Sequence, residues 1–154
     1  MLERAKEYLE ARGFGDRVIE LEESSATVQL AAEALGCEPG RIAKTLSFLV
    51  GDEPVLILTE GMARIDNHKY KAFFHAKAKM IPGDMVEDLV GHAPGGVCPF
   101  GIRDGVKVYL DVSLKHFDVV YPAAGNDHSA VRLTPDELER SCDNLGWIDV
   151  CKEA

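Results

Sequence analysis

Lys44 is the first residue whose placement in this chain suggests chemistry. Arg41 to Val50 has the Ile, Thr, Phe and Val content of a β-strand and is followed by a Gly51-Asp52-Glu53-Pro54 turn. With a period of two, Ile42, Leu46, Phe48 and Val50 share one face, and Lys44 falls among them. A cation aimed at a core or cleft is costly unless it meets an anion, a cavity or water. Lys44 is therefore a candidate ligand-binding residue, the alternative being a lysine near the strand start that snorkels to the surface. The second feature is Gly91 to Gly101, with four glycines and two prolines in eleven residues. Glycines let the backbone approach a ligand and turn its amides toward it, while Pro94 and Pro99 restrict the loop, so such a segment can cradle a phosphate or an oxyanion. It lacks the Gly-Lys-Ser/Thr ending of a P-loop and the strand-then-helix setting of a dinucleotide fingerprint. The competing reading is a structural turn.

Cys98 lies inside this loop and would be a nucleophile only if a base such as His92 or His128 lowered its thiol pKa; otherwise it packs the loop. Asn126, Asp127 and His128 gather an amide, a carboxylate and an imidazole that can read a polar substrate or simply form a turn. Arg64, Lys69, Lys71, Lys77 and Lys79, with His68 and His75, make one basic island against Asp66 as its only acid. It is either a phosphate-binding patch or a solvated face.

These residues need a scaffold, and 154 residues with 46% hydrophobic content suffice for one domain, spanning 1–154, with a real core. A net charge of -9 argues against a general nucleic-acid coat. The four cysteines are widely spaced, so the expectation is reduced thiols with no metal site and no disulfide framework. No signal-peptide pattern and no membrane-length apolar run occurs, which makes the expected setting cytoplasmic, away from any membrane.

Helices are expected over residues 2–12, after a cap at Ser24-Ser25, from Asp66 through Phe74, from Asp84 to Gly91, and from Pro135 to Asn144 behind a Thr134-Pro135-Asp136-Glu137 capping box. Strands are expected at Val18–Leu21, at Arg41–Val50 with Val55–Thr59 as its hairpin partner, and at Ala78–Ile81, Val106–Asp111, Phe117–Tyr121, Ser129–Leu133 and Trp147–Val150. The unbroken apolar run of Val55–Leu58 suits a central strand. Mixed short connections and helical insertions point to an α+β fold rather than a doubly wound parallel sheet.

Three segments in register resemble a known family. Ala43-Lys44-Thr45-Leu46-Ser47-Phe48, the Gly95-to-Gly101 loop, and Gly125-to-Leu138 are similar, in order and separation, to the YbaK/prolyl-tRNA-synthetase-associated editing domains over roughly residues 20 to 145. The resemblance implies a mixed, mostly antiparallel sheet curled toward a barrel with flanking helices. It implies an aminoacyl-tRNA deacylase acting in trans on a small amino acid, on tRNA-Pro or a similar tRNA, with no cofactor. Lys44, Gly95, Gly96, Pro99 and Gly101 would be its catalytic positions, and Phe48, Asn126, Asp127 and His128 would meet the substrate. The partner would be the aminoacyl-tRNA acceptor end, with a tRNA synthetase as a second candidate, and the basic island would meet stem phosphates. The alternatives are a non-catalytic binding module for tRNA ends, a nucleotide or a protein, and a hydrolase built on Cys98.

Overall fold

The computed structural model describes residues 2–152. Its elements run α1 (Leu2–Ala11), β1 (Val18–Glu20), α2 (Val28–Leu35), β2 (Ala43–Val50), β3 (Glu53–Glu60), β4 (Arg64–Ile65), α3 (Asn67–Phe74), α4 (Gly83–Val90), β5 (Lys107–Asp111), β6 (Ser129–Val131), α5 (Pro135–Ser141), β7 (Trp147–Ile148) and β8 (Cys151–Lys152). Short 3-10 turns occupy Pro39–Arg41 and Val112–His116. The fold is mixed α+β. Its main sheet has the order β2-β3-β5-β7, with two further two-stranded pairings, β1-β6 and β4-β8, and the strands do not close into a barrel.

The hairpin forms along its whole length, from Ala43 opposite Glu60 to Val50 opposite Glu53. β3 is central because every residue from Val55 onward is buried, and only a strand paired on both sides can lose water from both faces. β5 and β7 join in parallel, β5 to β3 and β7 to β5, so the antiparallel pairs are β1-β6, β2-β3 and β4-β8. Two main apolar clusters lie on the sheet. One holds Leu56, Leu58, Phe100, Val108 and Leu110, and the other holds Phe48, Ile57, Tyr70 and Val150.

Several boundaries differ from expectation for local physical reasons. The cap of α2 is Thr27, whose hydroxyl accepts from Leu30 N–H, rather than Ser24 or Ser25. Ala78–Ile81 and Phe117–Tyr121 are not strands; each makes only isolated bridges, Phe48–Met80 in one case and Ile42–Tyr121 and Val120–Leu133 in the other. Helix α5 stops at Ser141, and the short pair β4-β8 has too little sequence to carry a periodic signal. The predicted capping box is present at Thr134 and Glu137, and Asp66 caps α3 through the amides of His68 and Lys69. No helix among the described residues is long and apolar enough to cross a membrane.

Candidate functional site

Lys44 sits on β2, half-buried, and borders a cleft of about 320 Å3. Three walls form this cleft: Ser25, Ala26, Thr27, Val28 and Ala31 at the start of α2, Ala43, Thr45 and Ser47 on β2, and Pro94, Gly95 and Val97 of the glycine-rich loop. Ser129 and Ala130 of β6 close its side. Lys44 is the only charged side chain among the described lining residues. Its ammonium donates to the carbonyls of Gly61 at 3.1 Å and Ala63 at 2.7 Å. An ammonium has three donors, so one N–H remains without a protein acceptor among the described residues. Burial lowers the Lys44 pKa, and the nearby Glu60 carboxylate raises it.

The period-two reading of β2 holds for Leu46, Phe48 and Val50, which share one apolar cluster. Phe48, expected to meet substrate, is 2% exposed with its ring 5.2 Å from that of Tyr70, so it supports the strand from behind and does not line the cleft. A residue that reasoning from sequence missed is Thr45. Its hydroxyl oxygen is buried on the cleft wall with no hydrogen-bond partner among the described residues. An unmet buried hydroxyl costs about 1–3 kcal/mol.

The two loops singled out from sequence meet each other. A Cβ on Gly96 would lie 2.6 Å from both Asn126 N and Cα, and one on Gly95 would touch Ala26 and Asp127 at 3.5 and 3.6 Å. Gly95 also has φ +90, a backbone state that disfavours side chains. The glycines thus permit loop-to-loop contact beside the cleft. Pro99 and Gly101 lie deeper: Pro99 is buried, and Gly101, at φ +67, packs against the Arg4 backbone, so neither lines the cleft. Asn126, Asp127 and His128 stand at the rim, outside the lining. The Asn126 side chain accepts from His128 N–H at 2.9 Å, and Asp127 bonds the His128 ring at 2.7 Å. Their backbones are tied to the segment entering α2, with Ser25 N–H donating to Asp127 O and Leu21 N–H to His128 O. Ser25 and Ser129 staple the same edge, Ser129 N–H donating to Ser25 Oγ at 3.1 Å.

Cys98 is fully buried, 3.5 Å from His92, and burial pushes its thiol up to about 12. His92 is pulled down to about 4 by burial. In the basic island, Lys69 is committed to Asp149 at 3.0 Å and to the Cys151 carbonyl. Arg64, Lys71, Lys77 and Lys79 are exposed. Lys79 precedes Met80 and Ile81, which line the cleft, and Arg64 follows Ala63, whose carbonyl receives the Lys44 ammonium.

A larger cleft of about 740 Å3 opens beyond the ends of β3, β5 and β7. Glu60, Asp111 and Asp149 stand there with Lys69, His116 and Lys152. Among the described residues no group of three or more His, Cys, Asp or Glu is placed to hold a metal ion. The smaller cleft is the candidate site because Lys44 and Gly95, from separate sequence segments, converge on it.

Comparison with known proteins places the chain in a family. The family model for the aminoacyl-tRNA editing domain matches residues 22–141. The uncharacterized protein YwhH of Bacillus subtilis (strain 168) is 50% identical over 137 residues, covering 88% of this chain and 87% of that protein. A protein of Enterococcus faecalis (strain ATCC 700802 / V583) named "Putative Cys-tRNA(Pro)/Cys-tRNA(Cys) deacylase EbsC" is 29% identical, covering 75% of this chain and 72% of its own length. A solved structure described as "a putative trans-editing enzyme for prolyl tRNA synthetase" superposes with a TM-score of 0.87 at 33% identity, covering 98% of this chain and 96% of that one.

Proposed function

Because the chain belongs to the aminoacyl-tRNA editing domain family, we propose that it hydrolyses the ester of mischarged tRNA in trans. The observation that carries this reading is a cleft in which Lys44 is the one charged residue among the described lining, together with Pro94, Gly95 and Val97 of the glycine-rich loop. The polyanionic 3′ end of tRNA is drawn to such a site, and the free N–H of Lys44 is available to a terminal phosphate or ribose oxygen. The backbone amide of Gly95 in the cleft lining holds the ester. Water adds to the ester carbonyl, the bond to the ribose oxygen breaks, the ribose hydroxyl regains a proton, and the amino acid leaves as its carboxylate. An aminoacyl ester is already activated, so positioning and oxyanion stabilisation supply the catalysis.

A cleft of about 320 Å3 lined largely by Ala, Val and Ile suits a small, uncharged amino acid, on tRNA-Pro or a tRNA like it. The setting is the cytoplasm, where tRNA is charged, and a tRNA synthetase is a candidate partner. Asn126, Asp127 and His128 act at the rim, where the acyl group enters. Phe48, Pro99 and Gly101 contribute by holding β2 and the loop in place.

A panel of mischarged tRNAs, followed by timed ester loss, tests the proposal. We expect hydrolysis of at least one small aminoacyl ester and a fall of ~10²-fold or more in Lys44→Ala. Tight Lys44-dependent tRNA binding without turnover on any substrate would replace the enzyme with a binding module.

A further inference from the structure

The short pairing β4-β8 sets two cations side by side. Arg64 lies directly opposite Lys152 and Ile65 opposite Cys151, and Asp66 N–H continues the ladder to Val150 O at 2.8 Å. Residues directly opposite in an antiparallel pair point to the same face. Ile65 and Cys151 pack into the apolar cluster of Phe48 and Tyr70, so Arg64 and Lys152 share the outer face, and both are exposed. Like charges in that register repel and weaken a ribbon with only two residues in each strand. Neither cation has a carboxylate within ion-pairing distance among the described residues. The acids close in the chain or lining the larger cleft are engaged or withdrawn. Asp66 caps α3 through the amides of His68 and Lys69, and Asp149 pairs with Lys69. Asp111 accepts from Val150 N–H and Ser113 N–H, each at 2.9 Å, and Glu60 is 9% exposed.

Two further contacts tie this pair to its surroundings. The Lys44 ammonium donates to Ala63 O at 2.7 Å, one residue before Arg64. Lys69 donates to Cys151 O at 3.0 Å, one residue before Lys152, and Lys69 and Lys152 both line the larger cleft. The sequence groups Arg64 with Lys69, Lys71, Lys77 and Lys79, whereas the fold pairs it with Lys152, outside that run. We propose that Arg64 and Lys152 form a phosphate-binding pair for the RNA backbone of the tRNA acceptor end. Arg64 offers a planar fork that can hold two oxygens of one phosphate, and Lys152 offers a mobile point charge beside it. A bridging phosphodiester relieves the repulsion that the pair carries in the free protein. Lys44, Arg64 and Lys152 in succession suit a ligand whose negative charge repeats along a chain, more than a single small anion. This inference rests on the reading of the substrate as aminoacyl-tRNA.

The test uses the whole protein and uncharged tRNA, with affinity measured across a salt series and Tm measured without RNA. Lys152→Glu should weaken binding while holding or raising Tm, because an acid opposite Arg64 replaces repulsion with attraction. Arg64→Gln combined with Lys152→Gln should flatten the log–log salt dependence by about 0.7–0.9 for each phosphate no longer neutralised. Lys6→Gln combined with Lys107→Gln makes the same change in net charge at cations paired with Glu20 and Glu53, and should leave that slope unmoved. A minihelix carrying only the acceptor stem and 3′ end should show the same dependence on Arg64 and Lys152 as the full tRNA. Affinity and slope unmoved by the Arg64 and Lys152 changes, or moved equally by the Lys6 and Lys107 changes, overturn the inference. A Lys152→Glu protein that loses Tm together with affinity does so too, since the residue then serves the fold. Dependence seen with full tRNA and not with the minihelix places the contact away from the acceptor end and overturns it as well. Pair-dependent tRNA binding in a protein that hydrolyses no mischarged tRNA supports the pair while ending the enzymatic reading; hydrolysis with binding indifferent to the pair does the reverse.

Discussion

Cys98 and His92 have the separation of a nucleophile and its base, at 3.5 Å, yet their surroundings disarm both. Burial raises the thiol to about 12 and lowers the imidazole to about 4, so at neutral pH the pair is a protonated thiol beside a neutral ring. The ring nitrogen nearest the sulfur lies 2.7 Å from Phe100 O, to which it donates, and so is not placed to accept the thiol proton. We expect Cys98→Ala to retain full deacylase activity, with a lower Tm from the weakened packing, measured by ester hydrolysis and thermal unfolding. A loss of turnover with the fold intact would revive the cysteine mechanism. Lys44 was legible in the sequence because a cation on an otherwise apolar strand face has few explanations. Thr45 was not, because a threonine in a strand is ordinary until its hydroxyl is seen to lack a partner.

At the scale of elements, the glycine-rich loop and the segment around Asn126 act as one unit. Gly96 allows this, since any side chain there would collide with the backbone of Gly125 and Asn126. Gly96→Ala should cost about 1–3 kcal/mol of stability by overpacking. It should also reduce deacylation by spreading the two loops beside the cleft. Gly83→Ala is the comparison for stability, because its Cβ would meet nothing within 4 Å. Equal Tm values for the two variants would refute the loop contact. The β2-β3 hairpin, the caps at Asp66 and Thr134, and the stop of α4 at Gly91 were legible because each is specified by residues close in the chain. The parallel joining of β5 and β7 was not, since strand partners distant in sequence are selected by burial on both faces and leave no local signature. For the same reason Ala78–Ile81 and Phe117–Tyr121 have strand-like composition but only bridge contacts.

Across the whole molecule, a net charge of -9 coexists with exposed cations on one stretch of surface. Lys69 is spent on Asp149, but Lys71, Lys77 and Lys79 are exposed, and Lys79 is the chain neighbour of Met80, which lines the cleft. Reversing Lys71, Lys77 and Lys79 to Glu should weaken tRNA affinity and flatten its salt dependence, by about 0.7–0.9 in log–log slope for each phosphate that is no longer neutralised. Unchanged affinity and slope would assign this surface to solvent.

The cleft is also assembled from distant parts of the chain. Ser25 to Val28 with Ala31 form one wall and Ser129 and Ala130 another, and they are joined through β1 and β6, where Val18 pairs with Val131. A chain emerging from the ribosome displays the β2-β3 hairpin and Lys44 long before β6 exists. Pairings that span more than a hundred residues form late, after the large loop between them has closed. The cleft therefore lacks one of its walls in every nascent chain shorter than about residue 131.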